Sequence, residues 1–170
     1  MTFWHNFGES NIKEKLIVMK KLAFMFLGSL LLAGCAAKVD TKAQVGIKGN
    51  WEITQVSYSG SNLFTLKSFQ IADSKCFVGS KWRFISNNNS GTMALNQSGC
   101  PAVEGDFKWT ITPNQDFTLK FVGEGEKAKN VTAGFFLKLR NQSENQFQLV
   151  DNTNIGGKPT EVVYTFNRIN

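Results

Sequence analysis

Phe107-Lys108-Trp109-Thr110-Ile111 and Phe117-Thr118-Leu119-Lys120-Phe121 flank the tetrad Pro113-Asn114-Gln115-Asp116. Each flank alternates a large apolar residue with a polar one, the period of a strand that buries one face. The tetrad between them carries turn chemistry: proline presets φ, and Asn and Asp bond their own backbone. The stretch reads as a β-hairpin with aromatic and aliphatic side chains on one face and Thr and Lys on the other.

The same pattern recurs in both directions. Phe135, Leu137 and Leu139 alternate with Lys138 and Arg140, Phe147 and Leu149 with Gln146 and Gln148, and Val162, Tyr164 and Phe166 with Val163 and Thr165. Upstream, Trp82 and Phe84 alternate with Lys81 and Arg83, and Trp51, Ile53 and Gln55 are expected to share a face opposite Glu52, Thr54 and Val56. A weaker strand, Thr92 to Asn96, completes eight. Residues 87–91 and 141–144 are further tight turns, while 124–130 and 151–159 read as longer rim loops. Short sequential connections imply an up-and-down meander, and eight strands with one apolar face each can close and abolish both edges. The expected fold is all-β, an eight-stranded antiparallel barrel spanning residues 45–170. Between its first two strands, apolar positions 63, 66, 69, 71 and 72 suggest a short helix or lid, capped by Ser61 or Asn62.

The N-terminal segment has a different character. Lys20 and Lys21 precede an apolar run from Leu22 to Leu32, too short to span a bilayer, and Leu32-Ala33-Gly34-Cys35 ends it. This resembles the lipobox of bacterial lipoproteins, in which cleavage falls before the cysteine and that cysteine carries acyl lipid such as palmitate. Residues 1–34 are thus expected to be a signal region, with Met19 as the true start, and residues 35–44 a lipidated cysteine and tether. Multiple acyl chains make such an anchor effectively permanent. Ala36 stands where an inner-membrane retention aspartate often lies, and residues 36–39 lack an acidic cluster. The resemblance therefore implies the outer membrane, facing the periplasm.

Processing at Cys35 removes much of the available chemistry. The single histidine, His5, is lost, so the mature chain has no imidazole for general-base work or metal ligation. The whole chain carries a net charge of +6; past residue 34, fifteen basic residues stand against eleven acidic ones, a net +4. The lysines are scattered, with no stripe for nucleic acid. Cys76 and Cys100 remain as an even pair in an oxidising compartment and are expected to form a disulfide. Glu104 and Asp106 resemble paired carboxylates but read as a solvated, glycine-containing turn. No catalytic set, metal site or cofactor is expected.

Gly49-Asn50-Trp51 at the start of the first strand and Arg168 near the end of the last resemble the Gly-x-Trp signature and terminal arginine of the lipocalins. Residues 71–82 and 151–157 further resemble the small lipocalin-like lipoproteins of Gram-negative bacteria. A Thr-Asp-Tyr motif between the sixth and seventh strands is missing. The resemblance implies that Arg168 packs over Trp51 and seals one barrel end, with Gly49, by a cation–π contact. It also implies a cup for a small hydrophobic ligand. Trp82, Phe84, Trp109, Phe117 and Phe135 are the candidate lining residues, although the same aromatics suit a filled core. A filled barrel would serve instead as a non-catalytic structural or accessory interaction lipoprotein.

Replacing Cys35 by Ser is expected to leave an uncleaved or mislocalised, unlipidated precursor, read by membrane fractionation; normal fractionation would contradict the anchor. N-terminal sequencing of the precursor is expected to begin at Met19, and a peptide spanning Lys15 to Met19 would refute that start.

Overall fold

Alternation of apolar and polar residues closes the chain on itself. The computed structural model describes residues 38–58, 66–123, 125 and 127–170. Helix α1 (Thr41–Gly46) leads into β1 (Gly49–Tyr58), and a two-stranded ribbon follows, β2 (Lys67–Ser68) and β3 (Ala72–Asp73). A 3-10 turn (Ser74–Phe77) then leads to β4 (Lys81–Ile85), β5 (Ser90–Leu95), β6 (Val103–Ile111), β7 (Asp116–Val122), β8 (Phe135–Arg140), β9 (Gln146–Ile155) and β10 (Lys158–Ile169). Eight strands close an antiparallel barrel in the order β1-β10-β9-β8-β7-β6-β5-β4, with β1 also paired to β4. Cys35 and the signal segment lie outside the described residues.

Register sets which side chains meet inside. Trp51 sits opposite both Trp82 and Arg168, Trp109 opposite Leu119, Leu119 opposite Phe135, and Phe147 opposite Phe166. Their outward neighbours pair as salt bridges, Lys81 with Glu52, Lys138 with Asp116, and Arg140 with Glu161. These exposed pairs contribute little to stability each. The core is therefore the barrel interior.

The structure departs from the alternation pattern at several places. In β1 the register shifts between Ile53 and Gln55. Ile53 exchanges backbone hydrogen bonds with Ser80 and Gly79 there, and the extra residue reverses the parity. Gln55, expected on the inner face, is exposed, and Val56 and Tyr58 pack against the core instead. Residues 151–159, expected as a rim loop, form the paired tips of β9 and β10. The turn there is Gly156-Gly157, both with positive φ, a two-residue hairpin that only glycine adopts without cost. Glu104 and Asp106 lie on β6, not in a turn; Gly105 between them shares the inward row, so both carboxylates face solvent.

The stretch expected to be helical, in its described part from Leu66 to Ala72, is the β2–β3 ribbon. The helical turn comes later, at Ser74–Phe77, where the Asp73 side chain caps it by accepting from Lys75 N–H. The rest of that stretch, residues 63–65 with Ser61 and Asn62, lies outside the described residues. Helix α1 takes in residues 41–44 of the stretch read as tether. It is capped by Asp40, whose carboxylate accepts from Ala43 N–H at 3.0 Å, and Asp40 N–H bonds Ile111 C=O at 2.7 Å.

One barrel end is sealed. The Arg168 guanidinium lies 4.2 Å above the Trp51 ring and donates to the carbonyls of Lys48 (2.9 Å), Gly46 (3.0 Å) and Glu144. Trp51 Nε1 donates to Ile47 C=O at 2.8 Å. Gly49 has φ +128°, and a Cβ there would stand 2.5 Å from Arg168 Nη1. That close approach is the physical content of the glycine in Gly-x-Trp. At the other end Cys76 and Cys100, 24 positions apart in sequence, are disulfide-bonded with Cα atoms 5.7 Å apart. In the chain-entropy model a loop of that size is worth roughly 3.5 kcal/mol.

Arg168→Ala is expected to destabilise the fold by about 2–4 kcal/mol, from the lost cation–π contact and three carbonyls left without their charged donor. Urea unfolding checks this, and Arg168→Lys, which keeps charge without the fork, should recover less than half.

Candidate functional site

The interior has two storeys. In the lower one, near the Arg168 seal, rings touch across the barrel. Phe84 of β4 contacts Phe117 of β7 (6.3 Å between centroids) and Phe147 of β9 (5.8 Å), and also Trp109 (5.4 Å). Trp109 stacks on Phe117, and Phe147 stacks on Phe166 at 4.5 Å. Gly91 makes room: a Cβ there would lie 2.2 Å from the Phe107 ring. This storey is filled by side chains.

The upper storey is filled differently. The tip of the ribbon places Phe69 inside the mouth, only 5% exposed. Its ring meets Tyr164 at 5.0 Å, Phe77 at 5.2 Å, Phe135 at 5.3 Å, Phe121 at 6.0 Å and Trp82 at 6.2 Å. Tyr164 and Ser68 hydroxyls are joined by a 2.6 Å hydrogen bond that ties the ribbon to the inner wall. A Cβ built on Gly105, in the inward row of β6, would meet nothing within 4 Å.

The ribbon tip is strained. Phe69 and Gln70 both have positive φ, 51° and 59°, in a turn closed by Ile71 N–H to Ser68 C=O at 3.0 Å. Left-handed backbone costs about 1–2 kcal/mol for each non-glycine residue. Burying one Phe side chain returns about 1.5–3 kcal/mol, and the Tyr164–Ser68 hydrogen bond about 1 kcal/mol more. Gain and cost nearly balance, so the seat is held weakly compared with the lower storey.

The five candidate lining residues are divided by this arrangement. Trp82 and Phe135 border the Phe69 seat, while Phe84, Trp109 and Phe117 belong to the filled lower storey. Both tryptophans have their indole N–H satisfied by the protein: Trp82 by Ser80 Oγ at 2.9 Å, Trp109 by Ser90 C=O at 2.8 Å. Nothing in the sequence marks Phe69, Phe77 and Ser68 as site residues. A non-glycine pair in left-handed backbone leaves no compositional mark. Among the described residues there is no cluster of three metal-ligating side chains. On the outside, a groove of about 610 Å³ runs past Lys81, Arg83, Thr92, Glu104 and Asp106.

Two ionisable groups face inward near the mouth. Burial pushes the Tyr164 phenol well above its ordinary value near 10; the Ser68 hydrogen bond opposes the rise, and the charge of Asp151 adds to it. Burial also raises the Asp151 carboxyl above its ordinary range.

A family model described as a lipocalin-like domain matches residues 47–134, just over half of the chain. The chain belongs to the lipocalin-like family. Solved structures similar to this lipocalin-like protein include a lipocalin-like protein from Bacteroides uniformis, at 13% identity and TM-score 0.43, covering 73% of this chain and 99% of that one. Another is bovine odorant-binding protein in complex with a selenium-containing odorant, at 11% identity and TM-score 0.42, covering 75% and 73%. A search of curated proteins finds no match. Lipocalin-like barrels are in general binding, non-catalytic folds that typically hold small hydrophobic ligands.

Since the folded state of this lipocalin-like protein holds Tyr164 protonated, that contribution is complete below about pH 10 and is lost as pH rises toward the raised folded value. Unfolding free energy measured between pH 9 and 12 is expected to fall in the native protein and to fall less in Tyr164→Phe.

Proposed function

We propose that this is a lipid-anchored lipocalin-like protein of the bacterial cell envelope that binds a small hydrophobic ligand in the upper storey of its barrel. The Phe69 ring, seated among five other aromatic rings on a strained ribbon, carries this reading. An apolar ligand entering that seat keeps the same contacts and releases the left-handed turn. The Arg168 seal and the ring-filled lower storey supply a rigid floor. Residues 32–35 support an acyl anchor at Cys35, and Ala36 supports the outer membrane, with the barrel in the periplasm.

A second reading is favoured by the lower storey. Ring contacts that cross the barrel suit a filled, non-catalytic accessory module that acts through a protein partner. The two readings differ in one titration. With N-phenylnaphthylamine, an apolar probe that brightens in dry surroundings, the native protein is expected to bind. Phe69→Ala is expected to bind about tenfold more tightly, since the competing ring is gone. If neither protein brightens the probe, and a stoichiometric protein partner is retained on pull-down, the filled-barrel reading replaces the cup.

A further inference from the structure

Asp151 is the single carboxylate on the inner wall of the barrel among the described residues. It sits opposite Val162, which is 1% exposed, two positions after inward-facing Leu149 and beside the row that carries Tyr164. On the outer face Glu104 and Asp106 stand in solvent, and the other described strand carboxylates are paired. Glu52, Asp116 and Glu161, all outward, each have a lysine or arginine partner. Asp151, half-buried, is given no hydrogen bond or ion pair to its side chain by any described residue. A carboxylate in that position costs stability unless a donor or cation answers it. Thr153 and Thr160, opposite one another, continue the same inward row toward the β9–β10 tip. The charge of Asp151 reaches Tyr164, whose ring meets Phe69 at 5.0 Å, so the carboxylate stands beside the apolar seat.

We propose that Asp151 is the head-group contact of this site, and that the ligand class is a single-chain cationic amphiphile: an apolar body in the Phe69 seat and a primary ammonium at the Asp151 carboxylate. The proposal rests on the ligand-binding reading above and names its substrate class. An ammonium gives the carboxylate a charge-assisted hydrogen bond and answers its buried charge. A hydroxyl head offers only a neutral donor, and a carboxylate head would meet like charge. The seat of one aromatic ring admits one chain, not the paired chains of a phospholipid.

The test titrates the intrinsic tryptophan emission of the purified full chain with dodecylamine, dodecanol and dodecanoate at pH 7. The native protein is expected to bind dodecylamine about tenfold or more tightly than dodecanol, and dodecanoate most weakly. Asp151→Asn, similar in shape, is expected to erase the amine preference while dodecanol affinity holds and the urea midpoint holds or rises, since the unanswered charge is gone. If dodecanol binds but the amine is not preferred, or if the preference survives in Asp151→Asn, the head-group assignment is wrong and the cup stands. If no probe binds, even to Phe69→Ala, both fall.

Discussion

A closed barrel of eight strands has an interior just wide enough to be packed by side chains or to hold one small molecule, and the molecule is organised around that width. Aromatic rings fill the lower storey by touching across it. Arg168 over Trp51 closes the floor, and it does so only because Gly49 leaves the guanidinium a path. With the floor fixed, all remaining freedom lies at the mouth, where the wall alone does not fill the space and Phe69 is brought in from a separate ribbon.

The two storeys differ in how their rings are held. Below, each ring belongs to a barrel strand and is locked by cross-strand register. Above, the central ring rides on a two-stranded ribbon whose turn is strained, and the Tyr164–Ser68 hydrogen bond is its polar tie to the wall. Seated and released states are nearly balanced, and a ligand shifts such an equilibrium only by its differential affinity for the two states. The disulfide at Cys76, just past the ribbon, keeps any release local by holding the following 3-10 turn to the β5–β6 connection.

Much of this was legible in the sequence because period-2 alternation reports burial directly. The strands, most of their inward faces and the Cys76–Cys100 pair follow from residue type and position, and the Trp51–Arg168 closure from the resemblance to the lipocalins. The departures have local causes. The β1 bulge comes from hydrogen bonds between Ile53 and the Gly79–Ser80 segment, contacts that no alternation reveals. The β9–β10 tips are polar on both faces, so they read as loop, although Gly156-Gly157 was a usable hairpin signal. Apolar spacing in residues 63–72 mimics a helix, yet Phe69 sits within a tight turn that Ile71 closes. The inward aim of Asp151 is not legible in the sequence, since it depends on the extended register of β9.

The displaceable seat at the barrel mouth is tested most directly by native-state hydrogen exchange with and without saturating dodecanol. The amides of Ile71 and Ser74, bonded to the carbonyls of Ser68 and Leu66, report the ribbon, and those of β6 and β7 report the barrel. With ligand bound, Ile71 and Ser74 should lose protection while β6 and β7 keep or gain it. Unchanged protection at Ile71 and Ser74, with the ligand demonstrably bound, would contradict a seat vacated by Phe69.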